Sequence, residues 1–112
     1  MFIRGALAVF FLAGSINVFS EEYKVGMAGW EFKPAHLSIS VGDTVIWIND
    51  DDTKHKLSFE DESLLGPTKS MPHKFDQNDR FAFKFIKSGS FKYVCTTHED
   101  QDMVGLIIVK GK

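Results

Sequence analysis

The chain has 112 residues, of which 13 are Lys or Arg and 15 are Asp or Glu, so its formal net charge at pH 7 is -2. A chain without excess positive charge is a poor candidate for a protein that binds nucleic acid through salt-dependent phosphate contacts. A hydrophobic fraction of 44% and a charged fraction of 25% are those of an ordinary globular chain, and the length allows one domain. Eleven Phe, two Trp and two Tyr favour β-strands around a small sandwich core.

The N-terminal segment differs in kind from the rest of the chain. Arg4 precedes an almost uninterrupted apolar run over residues 5–13, a pattern typical of a secretory signal peptide. The small residue Ser20 predicts cleavage before the next residue. An uncleaved membrane anchor is the alternative, but the run is shorter than the about 20 residues that a membrane-spanning helix needs. We therefore predict residues 1–20 as a cleaved signal peptide and residues 21–112 as one exported, periplasmic domain without a membrane span.

Alternation of apolar and polar residues with a period of two dominates this domain. It predicts strands over 37–41, 81–85 and 91–95. The apolar run 44–48 is predicted as a further strand, and 23–29 and 104–110 as the strands that open and close the domain. Residues 61–77, which contain Gly66 and two prolines, are predicted as irregular with room for one helical turn. Several short strands separated by turns predict an all-β Greek-key sandwich or barrel of about seven to eight strands.

Two details of the predicted core can be checked against a structure. The strand 44–48 is apolar on both faces after its first residue, as is typical of a central strand covered on both sides. Rings alternate over 81–85 and again over 91–95, which predicts that Phe81, Phe83 and Phe85 face the same core as Phe91 and Tyr93.

The chain contains a single cysteine, Cys95, so no intrachain disulfide can form. Small exported domains often rely on paired cysteines, and a single thiol in an oxidising compartment needs another explanation. It can be buried and inert, joined to another chain, catalytic, or protected by a bound metal.

Potential metal ligands near Cys95 favour the last of these explanations, a bound metal. Cys95, His98 and Met103 lie within nine residues, at the end of one predicted strand and the start of the next, and His55 offers a second imidazole upstream. Two imidazoles and a thiolate with a weak axial thioether are the donor set of a blue-copper electron-transfer site. A structural zinc site prefers four firm ligands and rarely includes Met, and hard cations avoid thiolates.

The same residues carry a family resemblance. The pattern Cys-x2-His-x4-Met, followed by the strand 104–109, resembles the copper loop of the cupredoxin family, in particular plastocyanin and pseudoazurin. The segments 32–34, 37–47 and 89–95 follow that family's order as well. The resemblance implies a β-sandwich with one type 1 copper at one end, one-electron transfer as the activity and no enzymatic role. It also implies His55, Cys95 and His98 as equatorial copper ligands and Met103 as the axial ligand.

Three departures from the family pattern bear on the site. Lys56 follows the first His ligand, where relatives have an Asn that ties two copper loops together, and Thr97 stands where Pro is common. Acidic residues occupy both predicted copper loops, at Asp50, Asp51 and Asp52 and at Glu99, Asp100 and Asp102. These departures predict a softer site at a negatively charged end of the molecule.

The functional prediction is a soluble, monomeric carrier that shuttles one electron between Cu(I) and Cu(II). It would dock redox protein partners transiently at the copper end, and a negative rim would favour a basic partner. Periplasmic copper storage or delivery is the alternative, and an enzyme ranks third because four protein donors leave no open coordination position. His36 and His73 are predicted as surface residues, and Met27 and Met71 as packing residues.

Overall fold

The structure is a computed structural model that describes residues 19–61, 64, 74–96 and 103–111. This part of the chain contains eight β-strands, so the predicted all-β class and strand number are confirmed. The strands are β1 (Glu22–Ala28), β2 (Glu31–Lys33), β3 (His36–Ser40), β4 (Thr44–Asn49), β5 (Leu57–Phe59), β6 (Arg80–Lys84), β7 (Gly89–Cys95) and β8 (Val104–Lys110).

The strands form two four-stranded sheets that enclose one core. One sheet has the order β2-β1-β4-β6 and the other has the order β3-β8-β7-β5. β1 runs parallel to β4 and β3 runs parallel to β8, whereas the other neighbours are antiparallel. Because successive strands from β2 to β7 lie in opposite sheets, the chain crosses the sandwich repeatedly and residues far apart in sequence meet at its ends.

Each of the six predicted strands is present within one or two residues of its predicted bounds. β2 and β5 were not predicted, because three residues are too few to show a period of two. Most of the segment predicted as irregular, 61–77, lies outside the described residues. Within it, Phe75 forms an isolated antiparallel bridge with His55, which sequence analysis did not predict.

The core is built from aromatic side chains around Trp47. The Trp47 ring meets Tyr93 and Phe59 edge-on, with ring centroids 5.4 and 5.6 Å apart. Phe83 and Phe85 are buried as predicted, but Phe81 is only half-buried and packs on the margin of the core. Phe81 therefore faces the core as predicted, but it is less deeply buried because it lies near the start of edge strand β6.

β4 is central in its sheet but is not covered equally on both faces. Its inward positions, Val45, Trp47 and Asn49, are completely buried, whereas Ile46 and Ile48 on the outer face are half-buried. The prediction of a strand buried on both sides is thus wrong for the outer face, since no layer of the sandwich lies beyond it. The inward series ends on a polar residue, Asn49, at the edge of the core.

β7 and β8 approach each other closely where Tyr93 pairs with Gly105. A Cβ atom on Gly105 would overlap the Tyr93 phenol ring, so the buried ring occupies the space that any other residue would need. Burial raises the pKa of Tyr93 to about 12. The Trp47 indole N–H is near enough to oppose this rise slightly, although among the described residues neither Trp47 Nε1 nor the Tyr93 hydroxyl reaches hydrogen-bond geometry with a partner.

The turn between β3 and β4 ties down the beginning of the folded domain. Gly42 has a φ of 100°, and the buried carboxylate of Asp43 accepts the Ser40 N–H at 2.9 Å. Its other oxygen accepts the Glu21 N–H at 2.9 Å, and Glu21 in turn accepts the Thr44 N–H at 2.9 Å. These bonds join the segment before β1 to the turn between β3 and β4.

Candidate metal centre

Two of the four predicted ligands meet in the interior at one end of the sandwich. Cys95 is the last residue of β7 and pairs with Leu57 of β5, and His55 lies two residues before that strand. The Cys95 Sγ and His55 Nδ1 atoms are 3.6 Å apart, and both residues are completely buried. Folding thus brings a thiol and an imidazole from positions 40 residues apart into contact, away from water.

Met103 reaches the same end through the backbone. It immediately precedes β8, its side chain is completely buried, and its carbonyl oxygen accepts the Cys95 N–H at 3.0 Å. The fourth predicted ligand, His98, lies outside the described residues, as do Thr97, Glu99, Asp100 and Asp102. Over the described ranges, no group of three or more His, Cys, Asp or Glu side chains gathers as a metal site would.

Backbone hydrogen bonds fix the two loops that carry His55 and Cys95. His55 and Phe75 exchange a pair of bonds, with N···O distances of 3.2 and 2.7 Å. The Thr96 N–H donates to the Lys56 carbonyl at 2.8 Å. Lys56 therefore joins the loops through its main chain, which needs no particular side chain, and the absence of an Asn at this position does not leave the loops untied.

Asn49 supplies a second tie that sequence analysis missed. Its side-chain amide donates to the carbonyls of Thr53 and Phe75 at 2.9 and 2.8 Å, and its Oδ1 accepts the Asp51 N–H at 2.8 Å. A buried residue with three such bonds holds the His55 loop against the neighbouring segment. The sequence does contain a signal for this tie. Asn49 alternates in phase with Val45 and Trp47, so its side chain points into the core, where a polar group needs hydrogen bonds.

Asp51 was predicted only as part of a negative rim, but it contacts the site directly. Its Oδ2 atom lies 3.2 Å from His55 Nε2 and also accepts the Gly29 N–H at 3.2 Å. These contacts lower the pKa of the Asp51 carboxyl, the Gly29 bond most strongly and the His55 bond next. No sequence signal distinguished Asp51 from Asp50 and Asp52, which are its neighbours in an acidic run.

The described residues fit a copper ion in both spacing and chemistry. Metal bonds of about 2.3 Å to thiolate and about 2.0 to 2.1 Å to imidazole separate two such donors by about 3.5 to 3.8 Å in a tetrahedral or trigonal arrangement. The distance of 3.6 Å between Cys95 and His55 lies within this range. Buried Met103 would add a soft thioether, which suits copper better than zinc.

The remaining candidate donors were predicted not to bind metal. His36 is exposed and Met27 is completely buried in the core, as predicted for a surface histidine and a packing methionine. His73 and Met71 lie outside the described residues.

Comparison with known proteins identifies the family. The sequence profile of the copper-binding proteins of the plastocyanin/azurin family matches residues 20–110. The chain belongs to this family. A plastocyanin from Synechococcus sp. (strain JA-2-3B'a(2-13)) is 33% identical to it, with 97% of this chain and 87% of the relative covered. Amicyanin from Paracoccus versutus is 27% identical, with 77% of this chain and 63% of the relative covered.

Solved structures agree with this assignment. An amicyanin variant in its Cu(I) form superposes with a TM-score of 0.68 and 26% identity, covering 80% of this chain and 82% of the other. The predicted cupredoxin fold and copper cofactor are confirmed, and the chain is a blue-copper electron-transfer protein rather than an enzyme. Within the part of the chain that the structure describes, no helix is long and apolar enough to cross a membrane.

Proposed function

We propose that this electron carrier holds its single copper ion with His55, Cys95, His98 and Met103. The observation that carries the proposal is the buried pair formed by His55 Nδ1 and Cys95 Sγ, with the Met103 main chain bonded to that of Cys95. His98 is two residues beyond Thr96, and two residues span at most about 7 Å. The Thr96 main chain is hydrogen-bonded to Lys56, the neighbour of His55, so a residue two positions after Thr96 can reach the His55–Cys95 pair.

The described residues would contribute a fixed, dry environment. Copper supplies the exchange of one electron between its Cu(I) and Cu(II) states. Buried Cys95 and His55 keep water from the site, and the bonds of Phe75 and Asn49 limit the movement of the His55 loop. Because His55 is completely buried, its ring gives a partner no surface to touch. We assign electron exchange with partners to the edge of His98, as the family resemblance implies.

Visible and paramagnetic resonance spectra of the Cu(II) protein test the ligand set. We expect an intense blue thiolate-to-copper absorption that Cys95→Ser abolishes, because the colour depends on the thiolate. His98→Gly should shift the spectrum, and added imidazole should restore it. His36→Ala, which alters an exposed histidine, is the matched control and should leave the spectrum unchanged. A colourless protein that binds only Cu(I) would contradict the carrier and support copper storage or delivery.

We further propose that the copper end docks a basic redox partner transiently. Asp50 and Asp52 are exposed on the loop that carries His55, and the charge of Lys54 on that loop is offset by Asp76, with Nζ and Oδ1 3.5 Å apart. Exposed carboxylates raise the encounter rate with a basic protein, and salt screens them.

The ionic-strength dependence of the transfer rate tests this docking. We expect the second-order rate to fall as salt rises, and the slope to shrink when Asp50 and Asp52 are both changed to Asn. Glu22→Gln removes one exposed charge at the opposite end of β1 and should leave the slope unchanged. A rate that is flat or rises with salt would contradict a basic partner.

Sedimentation of the copper protein at the mass of one mature chain would support the predicted monomer.

Finally, we propose that the chain is exported to the periplasm and cleaved before Glu21. Phe19 is 77% exposed and Ser20 is also exposed, so the sandwich makes little use of either residue. Cleavage would turn the Glu21 amide, which lies 2.9 Å from Asp43 Oδ1, into an ammonium group beside a buried carboxylate. N-terminal sequencing of the exported protein tests the position, and a mature protein beginning elsewhere would contradict it.

A further inference from the structure

Asp51 is held from several directions. Its Oδ2 lies 3.2 Å from His55 Nε2 and accepts the Gly29 N–H at 3.2 Å, across 22 residues of sequence. Its Oδ1 accepts the Asp52 N–H at 2.9 Å, and its own N–H donates to Asn49 Oδ1 at 2.8 Å. An acidic residue that served only as a solvated loop residue would need neither the contact with His55 nor the long-range contact with Gly29.

The contact with His55 determines which ring nitrogen carries the proton. A neutral imidazole has one N–H, and an ionised carboxylate can only accept a hydrogen bond. A bond between Asp51 Oδ2 and His55 Nε2 therefore places the proton on Nε2. The lone pair is then left on Nδ1, which is the atom that lies 3.6 Å from Cys95 Sγ.

The Gly29 contact makes this arrangement independent of a bound metal. Gly29 has a φ of 60° in the tight turn between β1 and β2, and its N–H points at the Asp51 carboxylate. Two main-chain donors, Gly29 and Asp52, together with the side chain of Asn49, hold Asp51 in place without His55. The carboxylate is thus already positioned when the imidazole meets it.

We propose that Asp51 is a positioning residue that fixes His55 in the tautomer with its proton on Nε2 and thereby prepares Nδ1 to bind copper. A carboxylate behind an imidazole raises its basicity, and this favours the more highly charged Cu(II) over Cu(I). Asp51 therefore holds the reduction potential of the carrier down. This inference rests on the proposed function, because it takes His55 as a copper ligand.

Three variants of the full mature protein separate the roles of the bond and the charge. Asp51→Ala removes the acceptor and the charge, whereas Asp51→Asn removes the charge but keeps a carbonyl that can accept the Nε2 proton. Asp52→Asn is the matched control, because it removes the same charge from the adjacent, exposed residue and leaves the Asp51 carboxylate in place. Circular dichroism of each variant establishes that the fold is retained.

The first measurement uses the metal-free protein, so it does not depend on copper chemistry. Nitrogen-15 NMR of the His55 ring should show the Nε2-protonated tautomer in the wild type, Asp51→Asn and Asp52→Asn, and a mixture of tautomers in Asp51→Ala. A wild-type ring protonated on Nδ1, or an Asp51→Ala ring still wholly protonated on Nε2, would overturn the proposal.

The second measurement uses the copper-loaded protein. Loss of a partner behind a ligating histidine lowers metal affinity about 10- to 100-fold. A tenfold loss confined to Cu(II) raises a one-electron potential by about 59 mV. We expect Asp51→Ala to raise the midpoint potential by at least this amount, Asp51→Asn to raise it less, and Asp52→Asn to change it least.

The outcomes also distinguish this inference from the ligand assignment. A wild-type protein that is not blue would refute the assignment of ligands, while the tautomer of the metal-free protein would still test the Asp51 contact. A blue protein in which Asp51→Ala and Asp52→Asn give equal potentials would refute the inference alone. If Asp51→Ala does not fold, Asp51→Asn decides, because its potential must then exceed that of Asp52→Asn.

Discussion

Replacing Asn49 by Ala should destabilise the metal-free protein by about 2 to 4 kcal/mol. The change removes three hydrogen bonds, each worth about 0.5 to 1.5 kcal/mol net. The Phe75 carbonyl keeps the His55 N–H as a donor, and Thr53 is exposed, so its carbonyl can turn to water. The Asp51 N–H is half-buried, so it alone would be left partly without a partner or water. The expected loss is therefore close to the net free energy of three hydrogen bonds and below the cost of three buried groups without partners.

Urea unfolding of the metal-free protein, followed by tryptophan fluorescence, measures this loss. Asn49→Asp sharpens the test: it keeps the acceptor for Asp51 but sets an oxygen against two carbonyls, and we expect it to destabilise at least as much as Ala. Thr53→Ala is the matched control, because Thr53 contributes only its main-chain carbonyl, and it should change stability by no more than about 0.5 kcal/mol.

A loss for Asn49→Ala no larger than that for Thr53→Ala would refute a stabilising role for the Asn49 hydrogen bonds. An Asn49→Asp variant as stable as the wild type would refute it as well, because the bonds to the Thr53 and Phe75 carbonyls would then contribute nothing. An unchanged denaturant slope is required for the comparison, since a change in slope would mean that the variants differ in how much surface they expose on unfolding.

Three further predictions concern the rest of the fold. Gly105→Ala should lower the free energy of unfolding in urea by at least about 1 to 3 kcal/mol, because the added Cβ would overlap the Tyr93 ring. Gly111→Ala is its control and should be neutral, because the added Cβ meets open space. Gly29→Ala also meets open space but must adopt a φ of 60°, so a loss of about 1 to 2 kcal/mol is expected, and no loss would contradict the strained turn. The folded protein binds the Tyr93 proton more tightly than the unfolded chain, whose tyrosine pKa is about 10, so stability should fall by about 2 kcal/mol as pH rises from 10 to 12. Tyr93→Phe should abolish that fall and change stability by less than about 1 kcal/mol at neutral pH, because no described residue is a hydrogen-bond partner of the hydroxyl; a fall that persists would refute this account.

Local sequence pattern predicted most of the fold, because a strand with one buried face shows a period of two and a central strand shows a continuous apolar run. β3, β6 and β7 were found by alternation, β4 as an apolar run, and β1 and β8 as the strands that open and close the domain. β2 and β5 were missed because three residues carry too little pattern, and they form only where neighbouring strands offer free backbone groups. The half-burial of Phe81 was not predicted, because alternation gives the face of a residue but not the extent of the opposite sheet.

For the metal centre, the amino-acid sequence by itself supplied the candidate donors, since thiolate, imidazole and thioether side chains suit copper and their order is fixed along the chain. Tertiary structure decided the rest. It brought His55 to Cys95 across 40 residues, and it turned Asp51, rather than either acidic neighbour, towards the imidazole. The physical reason is that these contacts depend on which strands cross between the two sheets, and the β1–β2 turn and the His55 loop meet only once the sandwich has formed.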